Sequence, residues 1–316
     1  MTADRFGAIP SGEYTALASL RDMADRGSLA PVEPVPVPGP APGPAPEPVA
    51  ARSVGARARV PGAGDRRWRP VLPPQHGAWA FLTVPVLCGF AVAGASAAGW
   101  LLLAAWLCAY PVGYYLGRAL TARRRRGRWT PMARREITRV VPWVALTAVL
   151  GLPLVVTRPW LIAVALLLAV LWGLGLWIAA RRGERSLAND LMLVAQAILA
   201  LPLAVAVVAG PDQLAGGLRA STVQATLVVA AYLAGSVLHV KSLIREAGRA
   251  GYRWADAFWH VLLVVGSALA SPWWLVGTVP ALIRSLAMRP GMRPGAIGAV
   301  ELVVAALVVV AALLAV

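Results

Sequence analysis

From Gly77 to the C-terminus the chain repeats one pattern, runs of roughly 17–25 mostly apolar residues parted by short arginine-rich stretches. A run of that length spans the ~30 Å hydrocarbon layer of a bilayer at the ~1.5 Å rise of an α-helix. In lipid each backbone N–H and C=O needs a partner within the protein, and a helix supplies all of them by itself. A β-barrel would instead show short segments of alternating polarity, which continuous runs such as Leu161–Val170 are not. The chain therefore reads as all-α, a polytopic transmembrane helical bundle. Its 59% hydrophobic content and mean hydropathy of +0.67 lie well outside the range of soluble globular proteins.

About nine spans are expected, at 77–95, 98–117, 138–157, 159–180, 188–209, 220–243, 254–271, 272–288 and 295–316. The loops carry an independent signal. With the N-terminus in the cytoplasm, the inside loops and adjoining span ends hold nine basic residues over Arg118–Arg139, three over Arg181–Arg185, four over Lys241–Arg253 and three over Arg284–Arg293. The outside loops hold Arg158 and Arg219. Nineteen against two is the bias that orients membrane proteins, and it alternates strictly, which places the C-terminus outside. The seventh and eighth spans are the weakest pair, short and joined at Ser271-Pro272, and a re-entrant hairpin is the alternative there. The implied location is the cell (inner or plasma) membrane.

Residues 1–70 differ in kind. Nine prolines fall between Pro31 and Pro48, and an Arg-rich run follows from Arg52 to Arg69. Proline fixes φ and offers no backbone donor, so this segment reads as a disordered cytoplasmic tail ahead of a membrane domain at 71–316. No apolar segment near Met1 resembles a signal peptide. The net charge of +16 would suggest nucleic acid if it formed one soluble patch, but most of the excess lies in the loops between spans, so no nucleic-acid partner is expected. Cys88 and Cys108 fall within spans and read as small apolar core residues; two thiols make no zinc site, and no metal site is expected.

Polar residues of the membrane domain gather at the cytoplasmic span ends. His76 opens the first span, Arg135 and Glu136 the third, Asn189 and Asp190 the fifth; the sixth closes on His239, Lys241, Arg245 and Glu246, and the seventh opens with Asp256 and His260. Taken singly, each reads as a solvated helix end or a topogenic charge. Together they are candidates for one ligand-binding site, because ionisable groups inside a membrane face the bundle interior and pair. Asp256 and His260 are four apart, so the carboxylate can hold the imidazole in one tautomer. Lys241 points roughly 160° from His239 on a regular helix, which separates the two unless the helix distorts. Lys241 is also the single lysine among 29 arginines, and Asn189 the single asparagine. A compact ammonium differs in kind from a planar guanidinium fork, so a lysine kept in such a chain points to a site that needs it.

The element Pro74-Gln75-His76-Gly77-Ala78-Trp79, with Glu184-Arg185 leading to Asn189-Asp190 and then His239-x-Lys241-x-x-x-Arg245-Glu246, resembles the YwiC-like family of bacterial membrane proteins from about Pro73 onward. That resemblance implies a multi-spanning membrane protein and carries no catalytic residues with it. Nine spans with a cytoplasmic N-terminus are also similar, at the level of architecture, to UbiA-type prenyltransferases. Those enzymes hold magnesium and a diphosphate through Asp-rich motifs; Asn189-Asp190 resembles the first opening, but the aspartates that would follow fall at Leu193 and Ala197.

Two readings of function follow. In the first, a cytoplasm-facing polar cavity binds an anionic, phosphate- or diphosphate-bearing lipid, an isoprenoid or a small molecule, as a lipid-binding protein or an intramembrane transferase. In the second, the chain exports or transports a small solute. The first is favoured because the polar groups are one-sided and no internal repeat stands out. No cofactor is specified by any motif.

Overall fold

The computed structural model describes residues 72–73, 76–182, 186–215 and 219–315. The expected tail over 1–70 and the residues Glu184 and Arg185 lie outside the described residues. Every described element is helical. We label them α1 (His76–Ala93), α2 (Ala97–Arg126), α3 (Pro131–Thr157), α4 (Leu161–Arg182), α5 (Leu187–Ile198), α6 (Ala200–Ala209), α7 (Ala220–Val240), α8 (Ala250–Ala270), α9 (Leu275–Ala287) and α10 (Pro294–Ala315). A single turn at Asp212–Ala215, a π-helical turn at Lys241–Arg245 and a 3-10 turn at Pro272–Trp274 complete them.

Each expected span coincides with helix. Six segments are long and apolar enough to cross a membrane: Ala97–Arg126, Pro131–Thr157, Leu161–Ala179, Leu187–Ala209, Ala220–Arg245 and Pro294–Ala315. The chain is thus a multi-pass integral membrane protein. The helix at Gly77–Ala93 is apolar but shorter. α9 has 13 residues, or ~20 Å of rise, less than a bilayer core. α2 and α3 run well beyond the apolar stretches expected of them, because arginine is a good helix former and the ends of a span can project into water.

Local chemistry sets the ends and breaks. Ser96, Thr130 and Ser186 cap α2, α3 and α5, each accepting from the backbone N–H three residues on. Gly127 closes α2 in the left-handed region, at φ 65°. One span expected over 188–209 is divided at Leu199 into α5 and α6. Pro202 is the cause, since it has no N–H for the carbonyl of Ile198.

α1 lies at the centre. It packs on α6, α7 and α10, and its residues join both main apolar clusters, Val84 and Cys88 in one and Val86 and Phe90 in the other. Close approach there depends on small residues: a Cβ on Gly89 would lie 2.8 Å from the Leu201 carbonyl oxygen and from Ala204 Cβ. The α9–α10 contact is tighter still, with Val308 Cα 2.7 Å from where a Gly277 side chain would begin. Gly277→Val should therefore force these two helices apart and lower the thermal midpoint of the purified protein by several degrees, while Gly173→Val, which meets nothing within 4 Å, should leave it within about a degree.

The outer surface is apolar, as lipid requires. Val141, Val149 and Val156 on α3, Leu166 and Val170 on α4, and Leu269 on α8, 85% exposed, present bare hydrocarbon.

Candidate functional site

A buried charge in a helical bundle is tolerated only where a partner lies within reach. The described residues answer this with three groups of charges, each joining the ends of different helices.

The first is at the start of α3. Glu136 is buried, with Arg139 Nη1 3.3 Å and Arg118 Nε 3.6 Å from Oε1. It ties α2 to α3. Arg135, next to it, is exposed and takes no part.

The second joins α5 to the π-helical turn. Lys241 Nζ lies 2.9 Å from Asp190 Oδ2, and Arg245 Nη1 lies 3.3 Å from the same oxygen. Lys241 is 2% exposed, while the Arg245 side chain is 39% exposed, so one cation is sealed and the other reaches the surface. The π turn closes with Glu246 N–H donating to the Lys241 carbonyl at 2.8 Å. Asn189 sits in the first turn of α5, its N–H on the Ser186 hydroxyl. Glu246 turns away to pair with Arg249 at 2.9 Å.

The third lies deeper, among α7, α8, α9 and α10. His239 Nδ1 is 2.9 Å from Asp256 Oδ2, and Ser242 Oγ donates to the His239 carbonyl at 2.8 Å while standing 3.4 Å from that carboxylate. His260 Nδ1 is 2.8 Å from the main-chain oxygen of Asp256 and 3.0 Å from its Oδ1. On the far side of the ring, Arg284 Nη2 is 3.1 Å from His260 Nε2. Arg284 Nη1 in turn lies against Glu301 Oε2 as an ion pair by proximity, without the alignment of a hydrogen bond. The circuit closes where Glu301 Oε1 comes within 3.9 Å of His239 Nε2. Both histidines and Asp256 are wholly buried. Gly235 makes room for the second ring, since a Cβ there would lie 3.1 Å from two of its atoms.

The residues expected to share one site are thus divided. His239, Asp256 and His260 meet in the deep group; Asp190, Lys241 and Arg245 meet in the shallower one; Glu136 and Glu246 have partners of their own; His76 opens α1, but its side chain lies outside the described residues. The opposed directions of His239 and Lys241 persist through the π turn, one side chain meeting α8 and the other α5. Two members of the deep group were not among the expected residues. Arg284 reads in sequence as a topogenic charge, and Glu301 as an isolated carboxylate in an apolar run; a lone intramembrane acid was the signal that a cation had to lie opposite.

Among the described residues, no group of three or more His, Cys, Asp or Glu side chains is placed to hold a metal ion.

The helices that carry Glu136 and Asp190 belong to a segment with a family. Residues 72–205 match the YwiC-like protein family. The YwiC-like segment runs from the entry to α1 into α6, so it contains Asp190 but ends before Lys241 and the deep histidine group. The motif read over His239–Glu246 lies beyond it. No curated protein and no solved structure matches the chain, and the architectural likeness to UbiA-type enzymes gains no support there.

Proposed function

We propose that the chain is a nine-span protein of the cell membrane, N-terminus inside and C-terminus outside, that binds an anionic, phosphate- or diphosphate-bearing lipid or small molecule at its cytoplasmic end. The orientation is supported by the nineteen-to-two distribution of basic residues. Residues 1–70 are a cytoplasmic tail ahead of the membrane domain, in keeping with their proline content.

The observation that carries the binding site is the sharing of one carboxylate by two cations. Asp190 Oδ2 takes both Lys241 and Arg245, and Arg245 extends from that contact to the surface. A guanidinium so placed can leave a shared carboxylate for a doubly charged oxyanion, while the buried ammonium keeps the carboxylate satisfied. A headgroup arriving at the membrane surface meets the exposed member first. The same chemistry serves lipid binding and group transfer, and the ligand, not the site, would decide between them.

Native mass spectrometry of the protein extracted from membranes should show a co-purifying anionic lipid or phosphate ester. Arg245→Gln should weaken retention about tenfold, on the order of the energy of one charge-assisted hydrogen bond. Lys241→Arg should weaken it too, because the larger head displaces Asp190. Loss of neither would leave this group a structural tie between α5 and α7. The reading as a transporter draws on a different observation, the depth of the His239–Glu301 group, some two turns into α10.

A further inference from the structure

We propose that His239 is a proton-binding site in the interior of the bundle: its ring takes a proton at Nε2 and stands as an imidazolium between Asp256 and Glu301, while His260 stays neutral. The ligand is a proton. The anionic site at Lys241 has no part in the argument.

The two buried histidines have different partners, and the partners decide their states. Arginine has only donors. With Arg284 Nη2 at 3.1 Å, His260 Nε2 must therefore offer its lone pair, and the ring hydrogen sits on Nδ1, where the Asp256 main-chain oxygen accepts it at 2.8 Å. A second proton on His260 would point N–H at N–H. His239 has no such restriction. Its Nδ1 donates to Asp256 Oδ2 at 2.9 Å, and its Nε2 has no hydrogen-bond partner and faces Glu301 Oε1 at 3.9 Å. Both ring nitrogens look at carboxylates, which when ionised can only accept. A proton at Nε2 gives each of them something to accept.

Charge points the same way. Asp256 and Glu301 bring two negative charges, Arg284 one positive, and an imidazolium at His239 makes the group neutral, which buried ions require. The groups facing the ring from each neighbouring helix are few. α8 brings Asp256 and His260, α9 Arg284, α10 Glu301, and α7 itself carries the buried Ser236 and Tyr232. From α5 comes Asp190, engaged with Lys241 and Arg245; α6 carries no titratable residue, and the described side chains of α1 add only Cys88 of the apolar core.

Taking up the proton forms one N–H bond at Nε2 and breaks one O–H bond of a hydronium ion. Glu301 is the member that reaches the surface of the bundle, at 14% exposure, and so is the group through which a proton passes inward. Ser242 then ties the outcome to the π turn, since its hydroxyl contacts both the His239 carbonyl and the Asp256 carboxylate.

The test is NMR of the full chain in lipid nanodiscs with 15N-labelled histidine, which reads the protonation of each ring nitrogen. With three histidines in the chain, assignment needs only His76→Gln and His260→Gln. At about pH 6.5 we expect one ring with both nitrogens protonated, present in both variants, and one ring protonated at Nδ1 alone that vanishes in His260→Gln. Glu301→Gln should return the charged ring to the neutral form at the same pH. A neutral His239, a charged His260, or a His239 that stays charged in Glu301→Gln would each overturn the proposal. His239→Gln, which should abolish the doubly protonated ring and keep the Nδ1-protonated one, gives the same assignment, so a His260→Gln variant that fails to fold leaves the proposal decidable.

Discussion

Arg284→Leu should fail to give a folded, monodisperse protein in detergent, whereas Arg284→Leu combined with Glu301→Leu should give one. Arg284 is 3% exposed and is the cation that faces Glu301. Removing it alone leaves the two carboxylates, Asp256 and Glu301, one cation short among apolar helices, and takes the donor from His260 Nε2. Breaking one partner of a buried pair costs about 3–5 kcal/mol, much of the stability of an average domain. Replacing both with leucine removes the charges together, and such replacements run from neutral to stabilising. Size-exclusion profiles and thermal unfolding of the two single variants and the double variant close the cycle. A double variant as unstable as Arg284→Leu would show that packing of the arginine stem matters and its charge does not.

Asp256→Ala should also lower stability by a large step, and Asp256→Asn by less. His239 Nδ1 depends on Asp256 Oδ2, and both side chains are buried. Losing a bond to a charged acceptor costs about 1.5–3 kcal/mol, and the imidazole N–H left without a partner adds about 1–3 kcal/mol. Asparagine keeps one acceptor oxygen for that N–H but no charge. His260 is affected less by either change, because its Nδ1 has the main-chain oxygen of residue 256. Denaturation midpoints should therefore fall in the order wild type, Asn, Ala. His239→Leu added to Asp256→Ala should recover part of the loss, since no orphaned donor remains; a further decrease would mean the ring is held mainly by packing.

The positions of the helices were legible because a bilayer reads sequence locally. Each apolar run had to be helical on its own, and the Pro202 break, the Ser and Thr caps and the Gly127 terminus are chemistry of a few consecutive residues. The i,i+4 spacing of Asp256 and His260 announced a contact the structure contains. The opposition of Lys241 and His239 followed from helical geometry alone, and it held through the π turn.

Partners across helices were another matter. Nothing in the chain near Asp190 says that Lys241 and Arg245, more than fifty residues on, converge on one of its oxygens. Arg284 looked like any other inside-loop arginine until α9 was packed on α8 and α10, where it is sealed between His260 and Glu301. The sequence by itself determined a helical, multi-pass membrane protein. Only the tertiary structure decided that its polar groups form separate clusters and which cation meets which carboxylate. Membrane insertion depends on hydrophobicity summed along each segment, whereas a buried ion pair depends on a few ångströms between helices set by small residues such as Gly235 and Gly277.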